Sequence, residues 1–253
     1  CALTLGDQNY ISNDVKNSFS ASGTTHVLSV SGLHVGIIFI IISFLLKPLD
    51  KTKQLKLLKI TILLFFLWFY AFISGLSPPV LRSCSMFSFI VIGENLQRRT
   101  NTYNTLAVSA FVLMLINPLM IFDVGFQLSY MAVISIVFYQ PRFFALIKTN
   151  NIILKYLWGL ITVSIAAQLG TTPVCIFYFH QFPTYFLVSN IIVVPLAALI
   201  LYTALPFYAF SFIPFLSNWL AFLLKWMTWF LNHSVKIIEF FHGKKIKEIW
   251  ITK

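Results

Sequence analysis

A serine and a histidine stand three residues apart in an apolar stretch near the start of the chain. Ser31 and His34 would lie side by side on one face of a helix. A Ser–His pair is the minimum for nucleophilic catalysis, but no orienting acid stands near it in the sequence. Gly32 and Gly36 have the small-xxx-small spacing that lets two helices approach closely. We therefore favour a packing seam with a buried, hydrogen-bonded histidine over a chemical role, and we predict no enzymatic activity.

Metal binding is not favoured by the sequence either. His26 and His34 have no third histidine or matching carboxylate nearby, and a zinc site would need such ligands. The three cysteines, Cys1, Cys84 and Cys175, show neither metal-ligand spacing nor a disulfide framework. We expect no metal and no cofactor.

Arg82 stands about one turn inside an apolar segment, where an ionised side chain is costly. Ser85 and Ser88 follow on the same side of the predicted helix and form a polar stripe with it. Arg82 either extends to the outer membrane interface or faces inward, where a guanidinium can meet a phosphate or a carboxylate. Both alternatives stay open at this point.

Two further polar groups are candidates for a functional site. Asp123 stands where the N-cap of a helix belongs, which is a sufficient structural reason for it, and Gln127 follows one turn later. The second group surrounds a segment at 171–182 that looks interrupted, and interrupted helices often build the pathway of transport proteins. Its members are Gln168, Thr171, Thr172, His180, Gln181 and Asn190.

These polar residues are set in an unusually apolar chain. Hydrophobic residues make up 58% of the sequence and charged residues only 10%, whereas about a quarter of a soluble domain is charged. The 27 Phe, 10 Tyr and 6 Trp suit a lipid-facing surface with aromatic belts. The composition predicts an all-α protein, a polytopic bundle of transmembrane helices.

Six apolar segments predict membrane spans, at about 27–46, 57–76, 80–93, 105–120, 124–139 and 152–169. The segment 171–182 is too short to span and contains Pro173, so it is predicted to be re-entrant or half of a broken helix. Residues 185–216 form one or two further spans, and 217–241 either span or lie in the interface as an amphipathic helix. The total is seven to nine membrane elements in one domain.

Basic residues occur in every second connection, at 47–59, 94–104 and 140–151. Because lysine and arginine concentrate in cytoplasmic loops, this alternation places those loops in the cytoplasm and residues 1–25 outside. It also accounts for the net charge of +11 without invoking a nucleic acid. We expect an extracytoplasmic lead-in at 1–25, a transmembrane domain at 26–253, and a longer protein of which this chain is a fragment.

Four blocks of the sequence resemble the ComEC-type competence proteins, the bacterial DNA-uptake channel family. The family pattern of the first block reads H-L-L-A-[IV]-S-G-L-H-V, and it is matched by His26, Ser31, Gly32, Leu33, His34 and Val35. The other blocks agree in order and spacing: G-L-S-P at 75–78 before Leu81-Arg82, N-P-L at 117–119 before F-D-V-G-F-Q-L-S at 122–129, and A-Q-L-G-T at 167–171 before F-H-Q-F at 179–182.

The resemblance implies a multi-pass channel in the bacterial cytoplasmic (inner) membrane that translocates single-stranded DNA during natural transformation. It implies single-stranded DNA, membrane lipids, other proteins of the competence machinery and further copies of the chain as partners. The alternative is a secondary transporter for a small solute, although such carriers ordinarily show duplicated halves and no internal repeat is visible. Candidate residues for the channel lining are His26, Ser31, His34, Arg82, Asp123, Gln127, Gln168, Thr171, His180 and Asn190, with Gly32 and Gly36 assigned to helix packing.

Overall fold

The computed structural model describes residues 15, 18, 19, 24 and 27 and the ranges 30–95, 101–180 and 186–241. The three ranges form eight α-helices and two short 3-10 helices, Lys47–Lys51 and Pro118–Phe122, and contain no strand. The α-helices are α1 Gly32–Leu45, α2 Lys53–Ile73, α3 Pro78–Asn95, α4 Thr102–Ile116, α5 Val124–Phe144, α6 Ile152–Phe179, α7 Phe186–Ala209 and α8 Pro214–Phe241. The predicted all-α class is confirmed, and eight helices lie within the predicted range of seven to nine elements.

Short polar side chains begin several of these helices. The side-chain oxygens of Thr52, Asn101 and Asn151 accept backbone N–H groups in the first turns of α2, α4 and α6. Such caps satisfy donors that have no partner inside the helix, and they stop the helix from extending backwards into the polar connections. The helix starts therefore follow directly from local sequence.

Three helical segments are long and apolar enough to cross a membrane: Gln54–Ile73, Ile152–Phe179 and Phe186–Tyr208. Shorter apolar helices cover Gly32–Leu45, Pro78–Gly93 and Thr102–Ile116. Large apolar side chains remain on the outside, such as Phe44 at 72% and Phe72 at 74% exposure. A soluble surface would not leave so many of them in water. The chain is a membrane protein.

The chain divides into two compact units, one of Val30–Tyr130 and one of Cys1–Ser29 with Met131–Lys253. In the Val30–Tyr130 unit, α1 and α3 run in the same direction. Gly32 lies against Arg82 and Ser83, and further along both helices Gly36 and Phe39 meet Phe87. The core between these helices and α2 contains Val30, Val35, Leu67, Ala71, Val80 and Cys84.

The helices α3 and α5 also run in the same direction within the Val30–Tyr130 unit. Gly125 packs on Pro78 at the starts of the two helices, and one turn later Ser129 bonds to Arg82. Since α1 is parallel to α3 as well, the N-terminal ends of α1, α3 and α5 lie at the same end of this unit. The helix starts that surround Arg82 are thus brought together by parallel packing.

In the other unit, α7 and α8 pack against each other. Their buried side chains form a core with Phe19 and Val27, and its members from the two helices are Val193, Ala197, Ile200, Leu231 and Val235. The buried and half-buried positions of α8 recur every three or four residues, whereas its outer face carries Trp219, Phe222, Trp226 and Trp229. The predicted amphipathic character of 217–241 is therefore present, and its depth in the membrane stays a prediction.

The prediction of a broken or re-entrant segment at 171–182 is wrong for residues 171–180. Helix α6 continues without interruption through Pro173 and ends at His180, whose φ of 52° is left-handed. Pro173 has no N–H group, so the Leu169 carbonyl loses one helical hydrogen bond. The Thr171 and Thr172 hydroxyls bond to the Ala167 and Gln168 carbonyls, at 3.0 and 2.6 Å, and therefore do not replace that bond. The helix continues through Pro173 at the cost of one backbone hydrogen bond. Residues 181–185 lie outside the described part.

For residues 185–216 the sequence left open whether they form one or two spans. Residues 186–209 form a single helix, α7, which includes both Pro195 and Pro206. Packing of its buried face overrides the local cost of the two prolines.

Gly170 lies where α5 and α6 approach each other closely. A Cβ atom on Gly170 would lie 2.6 Å from the Met131 carbonyl oxygen and would collide with Ser135. We expect Gly170→Ala to destabilise the protein by about 1–3 kcal/mol, because overpacking forces the two backbones apart. The measurement is the thermal midpoint of the purified full-length protein in detergent.

Gly159→Ala on the same helix is the matched control for Gly170→Ala. Its Cβ would lie 3.8 Å from the Phe144 ring, an ordinary contact, and alanine favours a helix over glycine by about 1 kcal/mol. We expect an unchanged or higher midpoint. Equal midpoints for the two variants would contradict the close approach of α5 and α6.

Candidate functional site

Arg82 of α3 is buried and faces neighbouring helices. Only 9% of its surface is exposed. Its Nε donates to the Ser129 hydroxyl of α5, and its Nη1 lies 3.5 Å from the Met86 sulfur. The guanidinium carbon lies 5.9 Å from the centre of the Tyr130 ring, within the range of a cation–π contact. Of the two sequence alternatives, the inward-facing one describes this arginine.

No carboxylate neutralises Arg82 in the described part of the chain. The one ion pair that joins two described residues is Lys59–Asp50, at 2.8 Å. Glu94 is twelve residues further along α3, about 18 Å at the rise of a helix. An ionised side chain inside a membrane segment is costly and normally faces the protein interior or a water-filled path.

A chain of hydroxyl groups holds the Tyr130 ring beside Arg82. The Tyr130 hydroxyl lies 3.0 Å from the Ser109 hydroxyl of α4, and Ser109 donates its proton to the Leu106 carbonyl at 2.8 Å. Tyr130 must therefore be the donor to Ser109. We call Arg82, Ser109, Ser129 and Tyr130 the Arg82 cluster; it connects α3, α4 and α5.

The predicted polar stripe after Arg82 bonds mainly to its own helix. The Ser85 and Ser88 hydroxyls donate to carbonyl groups one turn earlier, at 2.8 and 2.7 Å. Ser88 also accepts the indole N–H of Trp68 at 3.2 Å. These serines satisfy their hydrogen bonds within the protein, so Arg82 is the member of the stripe that bonds to another helix through a charged group.

Ser31 and His34 cap the start of α1. The Ser31 amide donates to His34 Nδ1 at 3.1 Å, and the Ser31 hydroxyl lies 3.0 Å from the same nitrogen. In a capping box the third helical residue reaches back to the N-cap amide, a position usually held by Glu or Gln. His34 takes that position with 2% of its surface exposed. This geometry fits a structural histidine whose Nδ1 already serves as an acceptor.

We expect His34→Gln to keep the fold and His34→Leu to lose stability. Glutamine retains an acceptor for the Ser31 amide, whereas leucine fills the space without one. Loss of a helix cap costs about 1 kcal/mol, and an unsatisfied buried amide raises that cost. Thermal midpoints of the two purified variants measure the difference. A His34→Leu midpoint at or above that of His34→Gln would show that the cap contributes nothing.

Gly32 and Gly36 both face α3, but at different distances. A Cβ on Gly32 would lie 2.6 Å from Ser83 Oγ and 3.1 Å from Arg82 Nη2, whereas one on Gly36 would lie 3.7 Å from the Phe87 ring. The start of α1 therefore packs closely against the Arg82 guanidinium. Of the two glycines, only Gly32 stands where a larger side chain would not fit.

Asp123 and Gln127 stabilise the turn into α5. Asp123 is exposed, and its carboxylate accepts the Phe126 amide at 2.8 Å, as an N-cap does. The Gln127 side-chain amide donates to the Ile121 carbonyl at 2.8 Å. The capping alternative for Asp123 is thus the one that the geometry contains.

The remaining candidates belong to the unit that contains α6 and α7. Gln168 donates to Thr172 at 3.3 Å, Thr171 bonds to its own helix, and exposed His180 ends α6. Asn190 of α7 donates to Ser164 of α6 at 3.4 Å, while its side-chain oxygen is buried and has no partner in the part of the chain that the structure describes. His26 lies outside the described residues.

Ser109 and Ser164 were not predicted from the sequence as members of a polar site. Each is a single small hydroxyl residue in an apolar helix, where serine is common and costs little, so its type alone carries almost no signal. Their partners, Tyr130 and Asn190, are larger polar residues whose need for a partner was visible. A search for a partner on another helix would have required the helix packing itself.

Residues 3–253 match a family described as Competence protein. ComE operon protein 3 of Bacillus subtilis (strain 168) is 33% identical over 213 residues, which cover 84% of this chain and 25% of that protein. Recombination protein 2 of Haemophilus influenzae (strain ATCC 51907 / DSM 11121 / KW20 / Rd) is 22% identical over 219 residues, 83% of this chain and 28% of that protein.

A third relative covers nearly the whole chain. YcaI of Escherichia coli (strain K12), itself uncharacterized, is 23% identical over 254 residues, which cover 99% of this chain and 33% of that protein. The chain therefore spans a quarter to a third of the length of these relatives. No solved structure matches it. Because the family match extends over almost every residue, the chain belongs to the competence protein family.

Proposed function

We propose that this chain is the part of a DNA-uptake protein through which a single strand of DNA crosses the bacterial inner membrane into the cytoplasm. Competence is the state in which bacteria take up DNA, and the family membership gives the direction of the proposal. The Arg82 cluster gives it a physical basis within the chain.

The observation that carries the proposal is the buried guanidinium of Arg82 without a carboxylate partner in the described residues. An ionised group is retained inside a membrane protein where it serves a substrate or an ion pathway. Each DNA linkage carries one negative charge, and arginine forms strong, directional hydrogen bonds to phosphate. Ser129 and Tyr130 hold the guanidinium in place before a strand arrives.

The charge pattern of the loops is consistent with this direction of transport. If the basic connections at 47–59, 94–104 and 140–151 are cytoplasmic, the start of α3 lies at the extracytoplasmic end. Arg82, about one turn into α3, is then a cation that an incoming strand meets early. The strand would next pass neutral hydroxyl groups and aromatic rings, on which bases can stack.

The competing functions have less support from the geometry. A small-solute carrier was favoured by a broken helix at 171–182, but α6 is continuous through residue 179. An intramembrane hydrolase would use Ser31 with His34, yet Nδ1 of His34 accepts the Ser31 amide. We therefore propose no catalytic step, and we expect Ser31→Ala to retain DNA uptake.

Uptake of labelled DNA into a DNase-protected cytoplasmic pool tests the proposal. Cells that carry the full-length gene are compared with cells that lack it and with complemented cells. We expect the deletion to abolish internalisation while DNA still binds outside. Undiminished internalisation, in a strain without a paralogue, would refute the proposal and leave the solute carrier as the better account.

A further inference from the structure

The N-terminal end of α1 lies beside the Arg82 guanidinium. Nη2 of Arg82 would be 3.1 Å from a Cβ on Gly32, the first residue of α1. The amide N–H groups of Gly32 and Leu33 donate to no acceptor among the described residues. A helix N-terminus carries a partial positive charge of about half a unit, so two positive groups face each other here.

The neighbouring helix starts differ from α1 either in their open donors or in their charge. Pro78 and Pro79 begin α3 and have no N–H group, and the next two amides both bond to the Ser77 carbonyl. At the start of α5, the Val124 and Gly125 amides also donate to no acceptor among the described residues, but the Asp123 carboxylate lies there. The start of α1 is capped by the uncharged Ser31 and by His34, so it combines open amides with the absence of a capping carboxylate beside Arg82.

Some polar donors of Arg82 and of the start of α3 have no partner among the described residues. Nε and Nη1 of Arg82 contact Ser129 and Met86, but Nη2, the atom nearest Gly32, donates to no acceptor in the described ranges. The Ser77 hydroxyl, at the start of α3, is buried and has no partner among the described residues. Arg82 as a whole is nine-tenths buried, and its Nη2 donor remains open. An open guanidinium donor beside open amides can bind an anionic acceptor.

We propose that Arg82 Nη2 and the Gly32 and Leu33 amides together bind one phosphodiester group of the DNA strand. This assignment rests on the proposed function and names the part of the strand that the site recognises. Backbone amides at a helix N-terminus and a guanidinium are the two groups that proteins most often direct at phosphate. Glycine at position 32 lets the guanidinium reach the helix end. The site recognises the charge of the DNA backbone and not the base sequence.

A lipid headgroup offers the same phosphate chemistry, but the burial of the site favours a strand inside the protein. A headgroup would require the guanidinium on the lipid-facing surface. On the α3 side of the site, Arg82 is 9% exposed and Ser83 is 4% exposed, whereas Leu33 on the α1 side is 41% exposed. We therefore commit to the DNA backbone, and the test includes the lipid as a distinct outcome.

The test measures binding of short thymidine oligonucleotides to the full-length protein in phosphatidylcholine nanodiscs at several salt concentrations. One oligonucleotide has ordinary phosphodiester linkages and the other has uncharged methylphosphonate linkages. We expect Arg82→Gln to weaken binding of the ordinary strand about tenfold and to lower the slope of log K against log salt by about 0.7, the value for one contact to single-stranded DNA. Binding of the uncharged strand should not change.

Two variants accompany Arg82→Gln. Arg142→Gln removes an exposed arginine that bonds to the Phe138 carbonyl, and it should leave affinity and slope unchanged. Arg82→Lys retains the positive charge but loses the planar guanidinium with its paired donors. The slope of log K against log salt should therefore persist, while the affinity for the ordinary strand falls several-fold. This variant keeps the test decisive if Arg82→Gln fails to fold.

The outcomes separate the two proposals. If the wild-type protein does not bind the ordinary strand, the proposed function itself fails. If it binds but Arg82→Gln leaves the slope unchanged, or weakens the uncharged strand equally, the phosphate site is refuted and DNA transport is not. If Arg82→Gln has an effect only in discs with phosphatidylglycerol, the site binds a lipid headgroup and the assignment to DNA is overturned.

Discussion

Replacing Arg82 by glutamine is expected to lower DNA internalisation about ten- to a hundredfold, because one hydrogen-bonded contact to a charged group is worth about 1.5–3 kcal/mol. Glutamine keeps much of the length and some hydrogen bonding to Ser129 but removes the positive charge. The change therefore removes attraction to phosphate while most of the packing between α3 and α5 remains. DNase-protected label in cells that express the full-length variant measures the effect.

The matched control is Arg142→Gln, which removes an arginine whose guanidinium lies over the exposed Phe138 ring, at 3.9 Å. We expect internalisation close to wild type, with equal amounts of protein in the membrane fraction. Equal uptake by both variants would contradict a role for Arg82 in passage of the strand. Equal loss in both would mean that general positive charge, and not the buried site, matters.

The second large effect is expected from Gly32→Ala. The new methyl group would lie 2.6 Å from Ser83 Oγ, which is already bonded to the Pro79 carbonyl at 2.8 Å, and 3.1 Å from Arg82 Nη2. Either Ser83 loses its bond or α1 moves away from α3. We expect a loss of about 1–3 kcal/mol in stability, together with at least several-fold lower internalisation. Thermal midpoint and protected label are measured on the same variant.

Gly36→Ala is the control for that change because it makes the same substitution one turn further along α1. Its methyl group would lie 3.7 Å from the Phe87 ring, an ordinary contact. The substitution also favours the helix by about 1 kcal/mol. We expect unchanged uptake and an unchanged or higher midpoint. If Gly32→Ala and Gly36→Ala had the same midpoint and the same uptake, the close packing of α1 against Arg82 would be contradicted.

Much of the fold could be predicted because it depends on local composition. Apolar runs and caps such as Asp123 determine where helices begin, and these signals are readable one segment at a time. The error at 171–182 has the same origin, since a local pattern with Pro173 predicts a break. Helix α6 nonetheless continues through Pro173 with one backbone hydrogen bond fewer, and a local pattern does not show whether packing offsets that cost.

The candidate site was predicted in its parts but not in its assembly. Because burying a cation is costly, Arg82 is identified as a candidate from the sequence alone. The spacing of Ser31 and His34 likewise predicts their contact. Nothing in the sequence places Ser109 against Tyr130, or Gly32 against Arg82, because those pairs are far apart along the chain. Packing between helices decides them, and single-segment patterns do not contain it.

The most direct test of the central claim asks whether a strand in transit touches the Arg82 cluster. Met86→p-benzoylphenylalanine places a photo-crosslinker beside Arg82, and Ile40→p-benzoylphenylalanine places one on a side chain that is 58% exposed on the apolar surface of α1. Cells of each variant are irradiated while they take up labelled DNA. We predict a protein–DNA adduct at position 86 and none at position 40. Internalisation without an adduct at position 86, or equal adducts at both, would contradict passage of DNA through this part of the protein.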